Sequence, residues 1–123
     1  MKQIDQFRID LSKTDGDRKQ QLRAFALLNL GLVQSMASGI ISAAEAIRLF
    51  YHADNCLYVQ KRFRSREANA IMSRGVQLPD LFECLPAEAA FREFFHELEV
   101  MRSLCSKLLK TKRAVGNRQR VTV

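Results

Sequence analysis

The stretch AFALLNLGLV, residues 24–33, decides the fold, because eight of its ten residues are apolar. It is too short to cross a bilayer, for which a helix needs about 20 apolar residues. The apolar residues of the chain recur with a helical period, and in no segment do they alternate cleanly as in a half-buried strand. We therefore predict a helix that is buried on several sides, and we predict no contact with a membrane.

The predicted first helix extends from this stretch in both directions. It begins near Asp17, because Asp15 or Asp17 can cap its first turn, and it ends near Ser38, before Gly39. Its apolar residues form two stripes on adjoining faces. A small bundle offers few neighbours for both, so we predict that a twin subunit covers one stripe; alternatively, the other helices of the same chain cover both. The predicted core or dimer residues of this helix are Leu22, Phe25, Leu30, Leu32, Val33 and Met36.

The second helix has a clear start signal in SAAE, residues 42–45. This is a capping box, in which the serine and glutamate side chains each accept a hydrogen bond from the backbone N–H of the other residue. The apolar period continues to about Phe63, which predicts one long helix. Ser65 is expected to cap a short third helix over residues 66–74, and Gly75 is expected to end it.

The chain beyond the third helix begins with a proline-containing connector. Pro79 disfavours a helical conformation at the residue before it, so we predict a loop with one short helix at about residues 80–84. The apolar side chains of the connector are expected to lie across the core. They are Leu78, Leu81, Phe82 and Leu85.

The last helix is predicted to begin at Pro86 or Ala87, because proline suits the first helical position, and to end near Lys110. Together these elements predict an all-α fold, a four-helix bundle with an additional short helix at about residues 80–84. The buried stripe of the last helix is predicted to contain Phe91, Phe94 or Phe95, Leu98, Met101, Cys105 and Leu108.

A chain of 123 residues and 14.1 kDa has the size of one domain. Its 47% of hydrophobic residues is enough for a core that needs no disulfide or metal. Residues 111–123 show no apolar period. We predict an N-terminal arm over residues 1–16, a single helical domain over residues 17–110 and a basic C-terminal tail over residues 111–123.

The cysteines indicate the compartment. Cys56, Cys84 and Cys105 cannot all pair within one chain, form no CxxC motif, and stand beside apolar residues. The first residues show no signal-peptide pattern. We therefore predict a cytoplasmic protein with three free thiols that act as small core residues.

The charge is basic and unevenly distributed. Twenty Lys and Arg residues against 13 Asp and Glu residues give a formal net charge of +7 at pH 7. The excess lies in two clusters with an acidic segment between them. Either the clusters are solvated helix faces, or they form one patch that binds nucleic acid or an acidic protein surface. The clusters consist of Lys61, Arg62, Arg64, Arg66 and Arg74, and of Lys110, Lys112, Arg113, Arg118 and Arg120.

Residues that could support chemistry are few. His52 and Cys56 stand four residues apart on the second helix and could hold one edge of a metal site, but the sequence offers no second close pair of ligands. Asp54 and Asn55 either line a pocket with them or mark the outer face of the helix. The chain contains no glycine-rich phosphate loop and no nucleophile motif. We therefore predict no enzyme, no metal site and no cofactor.

These observations predict a non-enzymatic helical module for protein–protein interaction or assembly, with a regulatory role and self-association as a homodimer. The alternative is a small basic regulator that binds nucleic acid through the residue 61–74 cluster and the C-terminal tail. Arginine suits both hypotheses, because its guanidinium binds carboxylate as well as phosphate groups.

Overall fold

The computed structural model describes the backbone of residues 7–120 and the side chains of residues 7–110. Within this part the chain is helical and contains no strand, which confirms the all-α class. Among the described helices, none combines the length and the hydropathy that a membrane-spanning segment requires. The elements are a short 3-10 helix, Leu11–Lys13, and the α-helices α1 (Arg18–Ala37), α2 (Ala43–Leu49), α3 (Ala53–Arg62), α4 (Arg66–Cys84) and α5 (Ala87–Arg120).

The predicted start and end of α1 are confirmed. The Asp17 carboxylate accepts a hydrogen bond from the Gln20 N–H at 2.8 Å, and the Gln20 side chain accepts one from the Asp17 N–H at 2.8 Å. This reciprocal pair satisfies two N–H groups at the start of the helix. At the other end Gly39 has a φ of 76°, a conformation that favours glycine, and the chain leaves the helix there.

The predicted caps of two further helices are also confirmed. At α2 the Glu45 N–H donates to the Ser42 hydroxyl at 3.0 Å, and the Ser42 N–H donates to the Glu45 carboxylate at 2.7 Å. At α4 the Ala68 N–H donates to the Ser65 hydroxyl at 3.1 Å. Each cap joins residues three apart in the sequence, so a local pattern is sufficient to predict it.

The predicted second helix is wrong in one respect, because residues 42–63 form two helices with a break at Phe50 and Tyr51. A continuous helix would direct these neighbouring side chains about 100° apart. The break lets both rings enter the core, where Phe50 is 0% and Tyr51 is 1% exposed. The Phe50 carbonyl accepts a hydrogen bond from Asn55 Nδ2 at 2.8 Å. His52 caps α3, since its ring Nδ1 accepts from the Asn55 N–H at 3.4 Å.

The third helix is longer than predicted. α4 continues through Gly75 and Pro79 to Cys84, so the predicted end at Gly75 and the separate helix at residues 80–84 are both wrong. Gly75 instead lets the Tyr51 ring approach, because a Cβ there would lie 2.6 Å from the ring carbon Cδ1. Pro79 removes one helical hydrogen bond, and packing along α5 holds α4 together across it. The short additional helix of the bundle is therefore α2.

α4 and α5 form an antiparallel hairpin, and α1 packs along α5. Two ion pairs show the register of the hairpin. Arg74 Nη1 lies 2.5 Å from Glu97 Oε1, and Lys107 Nζ lies 3.5 Å from Glu67 Oε2. The residue number therefore falls along α5 as it rises along α4, and the first turn of α4 lies beside Lys107.

α5 begins at Ala87, as predicted, and continues past Lys110 to Arg120. The backbone of residues 111–120 is therefore helical, where the sequence predicted a solvated arm. The side chains of residues 111–123 lie outside the described part of the structure. The candidate residues Lys112, Arg113, Arg118 and Arg120 are among them.

The chain itself covers both predicted stripes of α1, packing against them from α5 and from the α2–α3 region. This burial fits the interpretation in which helices of the same chain suffice, so the stripes alone do not require a twin subunit. The exposed face of α1 is a third one, which carries Ala24, Leu27 and Gly31. Of the residues predicted for the core or dimer, Phe25, Leu32, Val33 and Met36 are buried, and Leu22 and Leu30 are half-buried.

The segment before α1 packs onto α3. Leu11 is 3% exposed, and its N–H donates to Asn55 Oδ1 at 2.9 Å. The Ile9 N–H donates to the Leu49 carbonyl at 2.8 Å, and the Ile9 carbonyl accepts from Asn55 Nδ2 at 2.8 Å. The predicted N-terminal arm, residues 1–16, therefore contributes Leu11 to the core.

Candidate functional site

Two of the polar residues that were predicted as a possible pocket, His52 and Asn55, bind the N-terminal segment instead. Asn55 is 1% exposed and holds both Ile9 and Leu11. His52 Nε2 lies 3.1 Å from the Ile9 carbonyl oxygen, and Nδ1 accepts from Asn55, which fits the neutral tautomer with its proton on Nε2. Both ring nitrogens are engaged. Among the described residues, no three His, Cys, Asp or Glu side chains are grouped so that they could hold a metal ion.

Asp54 and Cys56, the other residues of that group, do not share a site. A hydrogen bond from Arg8 at 2.6 Å, and then the Arg8 charge, lower the pKa of the exposed Asp54 carboxyl. Burial raises the pKa of Cys56, whose Sγ lies 3.8 Å from the Tyr51 carbonyl. Burial also raises the pKa of Cys105 to about 12. Thiols with raised pKa values stay protonated at neutral pH and are poor nucleophiles.

A buried tyrosine joins the α2–α3 break to α1. The Tyr51 hydroxyl donates to Asn29 Oδ1 at 2.7 Å, and Asn29 Nδ2 donates to the Phe25 carbonyl at 2.9 Å. Burial raises the pKa of Tyr51 far above its usual value, so the hydroxyl remains a neutral donor. These hydrogen bonds stabilise the core and give it a specific arrangement.

Positive charge gathers at one end of the bundle. Lys107 reaches Glu67 in the first turn of α4, so Lys110 comes one turn further along α5, at the α3–α4 junction. α1 also starts at this end, since the Arg18 guanidinium donates to the Phe63 carbonyl. The second predicted cluster therefore starts where the first one lies. We call this region the basic end, and it comprises Arg18, Lys61, Arg62, Arg64, Arg66 and Lys110.

Arg74 does not belong to the basic end. It lies two turns along α4 from Arg66 and pairs with Glu97 inside the hairpin. The pKa of Glu67, which is closer to the basic end, is lowered by a hydrogen bond to its own backbone and then by Lys107. Both carboxylates therefore hold α4 against α5, and Arg74 contributes to this packing.

An open groove of about 580 Å³ lies at the opposite end of the hairpin, between the end of α1, the start of α2 and the α4–α5 turn. Phe82, Phe91 and Phe95 are 39%, 52% and 48% exposed around it. The Phe82 ring centroid lies 5.1 Å from that of Phe91 and 5.2 Å from that of Phe94, and Phe95 stacks on Phe91 at 6.5 Å. We call this feature the aromatic groove. Its apolar lining includes Met36, Ile41, Ala43, Pro79, Phe82, Phe91 and Phe94.

Carboxylates surround the aromatic groove. Glu45 and Glu83 line it, and Glu88 lies one turn before Phe91 on the same face of α5. We call these three the rim carboxylates. None of them makes an ion pair within the described residues, so the groove combines an apolar floor with a negatively charged rim. Carboxylates that pair with arginine or lysine elsewhere are Asp10, Asp54, Glu67, Glu97 and Glu99.

A family model described as a protein of unknown function (DUF3969) matches residues 17–122. The chain belongs to this family. No curated protein and no solved structure matches it. In this DUF3969 chain the match begins at the cap of α1, so the aromatic groove and the basic end both lie within the family region.

The sequence did not predict the aromatic groove of this DUF3969 chain. Phe91 was predicted in the buried stripe, with Phe94 or Phe95, and Phe82 was predicted to lie across the core, but only Phe94 is buried. Phe91 and Phe95 each follow a buried residue, Ala90 or Phe94, and so lie about 100° away around the helix. Three phenylalanines within five residues exceed what one stripe accommodates, and this excess is the signal that could have indicated an exposed aromatic face.

Proposed function

We propose that this chain is a non-enzymatic protein-interaction module and that the aromatic groove is its docking surface. One observation carries the proposal: Phe82 and Phe91 line an open groove with their rings 39% and 52% exposed, and the Phe95 ring beside Phe91 is 48% exposed. The same chain buries the core phenylalanines Phe25, Phe50 and Phe63 completely. Exposed apolar patches are typical of protein–protein contact sites, where a few aromatic anchors dominate the binding free energy. The proposal includes a regulatory role and a cytoplasmic location, the latter supported by the free cysteines of the described chain.

The occupant that fits the groove is a cationic amphipathic helix. Helix-in-groove docking inserts apolar side chains from positions i, i+3, i+4 and i+7 of the bound helix. Lysine or arginine on the flanks of that helix would pair with the rim carboxylates. The phenylalanines thus favour a bound helix with an apolar face, and the rim carboxylates favour positive charge on the flanks of that helix.

A synthetic peptide tests this proposal. The probe is a helical peptide of leucine and lysine, with leucine at positions i, i+3, i+4 and i+7, and the control replaces every lysine by glutamate. In amide NMR spectra of the isotopically labelled protein, we expect the lysine peptide to shift resonances around the aromatic groove. We expect the glutamate peptide to leave them unchanged. Shifts confined to other surfaces would contradict the proposal.

A matched pair of variants strengthens the test. Phe91 and Leu57 are both 52% exposed, but Leu57 lies on α3, away from the groove. We expect Phe91→Ser to weaken binding of the lysine peptide by at least about tenfold, because the ring is a central anchor. We expect Leu57→Ser to leave the affinity unchanged. Equal losses for both variants would show non-specific adhesion of an apolar peptide.

The homodimer predicted from α1 also remains a proposal. The supporting feature is now the exposed face of α1 with Ala24, Leu27 and Gly31, since the chain covers the two predicted stripes itself. A dimer through this face would bury Leu27, which is 51% exposed. Light scattering at micromolar concentration should then give twice the chain mass of 14.1 kDa, and Leu27→Glu should return it to the single value.

Nucleic-acid binding is the second candidate function, and the gathering of charge at the basic end favours it. Lys61, Arg64 and Arg66 are exposed around the α3–α4 junction, where Lys110 also lies. Contacts of this kind to phosphates give an affinity that falls steeply with salt. Fluorescence anisotropy with random duplex DNA should show this dependence, and Arg64→Glu with Arg66→Glu should abolish binding. Absence of binding at about 50 mM salt would remove this candidate.

A further inference from the structure

We propose that the occupant of the aromatic groove is the C-terminal end of α5 from a second copy of this chain. The inference rests on the proposed docking function and names its partner. The segment concerned, residues 110–120, reads KTKRAVGNRQR and carries five basic and no acidic residues. We call it the cationic segment. Its charge is opposite in sign to that of the rim carboxylates, which have no ion-pair partner within the described residues.

The cationic segment cannot reach the groove of its own chain. α5 has 34 residues, and a helix of that length is about 51 Å long. Phe91, near its start, lines the groove, whereas the cationic segment forms its other end. Because α5 is one continuous helix, it does not bend back onto its own start. Contact between the two features therefore requires two molecules.

The cationic segment follows the part of α5 that lies beside the first turn of α4. Glu67, in the first turn of α4, lies beside Lys107 of α5. The helix that follows Lys107 therefore extends past the start of α4. This places a helical, positively charged segment at one end of the molecule and an apolar, negatively bordered groove at the other.

Charge supplies most of the attraction in this contact. The apolar residues of the cationic segment are only Ala114 and Val115, so its apolar contribution is small. The exposed Phe91 ring contributes in another way, because an arginine guanidinium stacks on an aromatic face. Exposed charges are screened beyond about 10 Å at 0.1 M salt. We therefore expect association that is weak, rises with protein concentration and is disrupted by salt.

The contact is head-to-tail, because one copy supplies the groove and the next supplies the cationic segment. Each copy keeps one unused groove or segment after the first contact. A contact of this kind adds further copies until a ring closes or the chain of copies stays open. Its products therefore differ from those of a dimer through α1, which would stop at two copies.

Two variants of the full chain, each lacking one half of the contact, test the proposal. Every chain compared here, including the one called unchanged, also carries Leu27→Glu, so that a dimer through α1 does not contribute. Phe91→Ser removes the groove anchor, and Lys112→Glu with Arg113→Glu reverses charge in the cationic segment. Sedimentation velocity from micromolar to millimolar concentration should show assembly of the unchanged chain at low salt and a monomer at high salt. Each variant alone should have a dissociation constant raised at least about tenfold, so that it stays monomeric at the concentration where the unchanged chain first assembles.

A mixture of the two variants tests whether the contact is head-to-tail. The charge-reversed variant still has an intact groove, and the Phe91→Ser variant still has an intact cationic segment. Mixed in equal amounts, they should form a complex of twice 14.1 kDa and no larger species. Leu57→Ser, the matched control, should assemble like the unchanged chain. If Phe91→Ser unfolds, Glu83→Lys serves as the groove variant, since it changes only an exposed rim charge.

Three results would overturn the inference: self-association of either variant alone that is as strong as that of the unchanged chain, a mixture that stays monomeric, or an unchanged chain that is monomeric at every concentration. The leucine–lysine peptide separates these failures from failure of the docking function. If that peptide binds at the groove while the full chain does not associate, the docking surface stands and the cationic segment is not its occupant. If the peptide does not bind and the full chain does not associate, both the docking function and its proposed occupant are wrong.

Discussion

Two clusters of phenylalanine rings show how differently this chain uses the same side chain in two regions. In the core cluster the ring centroids lie 5.5 and 6.1 Å apart, and every ring is 0% exposed. In the groove cluster the separations are similar, at 5.1 and 6.5 Å, but the rings are 39–52% exposed. The core cluster is Phe25, Phe50 and Phe63, and the groove cluster is Phe82, Phe91 and Phe95.

The difference lies in the elements that surround each cluster. The core rings come from α1, from the residue that follows α2 and from the residue that follows α3, so three parts of the chain close around them. The groove rings come from α4 and α5 alone. A helical hairpin brings side chains together but covers only one side of them. Ring packing therefore stabilises the fold in one region and leaves a surface for a partner in the other.

The largest expected effect tests this division directly. Phe25→Ala should lower the free energy of unfolding by about 3–5 kcal/mol, because it leaves a cavity between the Phe50 and Phe63 rings. Phe91→Ala should lower it by less than about 1 kcal/mol, because much of that ring is already in water. Urea unfolding followed by circular dichroism measures both. Similar losses for the two variants would mean that the groove cluster is also part of the core.

The next effect concerns the N-terminal segment on the core side. Asn55→Ala removes the partners of the Leu11 N–H and the Phe50 carbonyl, and an unsatisfied buried group costs about 1–3 kcal/mol. We expect a loss of about 3 kcal/mol in the free energy of unfolding and faster hydrogen exchange at Leu11. Asn69→Ala, at a half-buried position on α4, is the control and should change the free energy by less than about 0.5 kcal/mol. Equal effects at both positions would show that Asn55 is not a clamp.

A smaller effect on stability is expected for two glycines that both lie inside helices, Gly31 in α1 and Gly75 in α4. A Cβ at Gly75 would lie 2.6 Å from the Tyr51 ring, whereas a Cβ at Gly31 meets nothing within 4 Å. Gly75→Ala should destabilise by about 1–3 kcal/mol, because a crowded core must shift. Gly31→Ala should stabilise by up to about 1 kcal/mol, because alanine favours a helix. Thermal unfolding of both variants measures the contrast, and stabilisation by both would contradict the tight Gly75–Tyr51 contact.

These glycines also show what could be predicted of the fold from sequence. The starts of α1, α2 and α4 were predictable, because a cap such as Ser42 with Glu45 joins residues three apart. The break after Phe50 and the continuation of α4 through Gly75 were not. Both depend on contacts with distant parts of the chain. At the break, Phe50 packs on Phe25 and the Tyr51 hydroxyl binds Asn29, and at Gly75 the Tyr51 ring packs against α4.

The candidate site was less predictable than the fold, for a similar physical reason. A helical period identifies which residues share a face, but it does not say which neighbour covers that face. Phe91 fits an apolar face equally well whether α2 lies over it or water does. The gathering of positive charge at the basic end depends on the antiparallel register that the Lys107–Glu67 pair shows. Arg74 was predicted in the same cluster as Arg66, but the antiparallel register places it beside Glu97 and away from the basic end.

The smallest expected effect concerns the Arg8–Asp54 pair, which joins the N-terminal segment to α3 on the core side. The hydrogen bond from Arg8 lowers the pKa of Asp54 in the folded chain below its value in the unfolded chain, which is about 3.9. The folded state therefore gains stability from this pair above that pH, and the gain is lost as the pH falls through the lower folded pKa. Both groups are exposed, so solvent screens the pair and the gain is small. Arg8→Gln should lower the unfolding temperature slightly at pH 7 and hardly at all near pH 2, whereas Arg48→Gln, at an exposed arginine of α2, should show no such dependence. A difference between Arg8→Gln and the unchanged chain that stays constant over this range would mean that the pair does not fasten the segment, and that its contacts with Leu49, His52 and Asn55 hold it to the core.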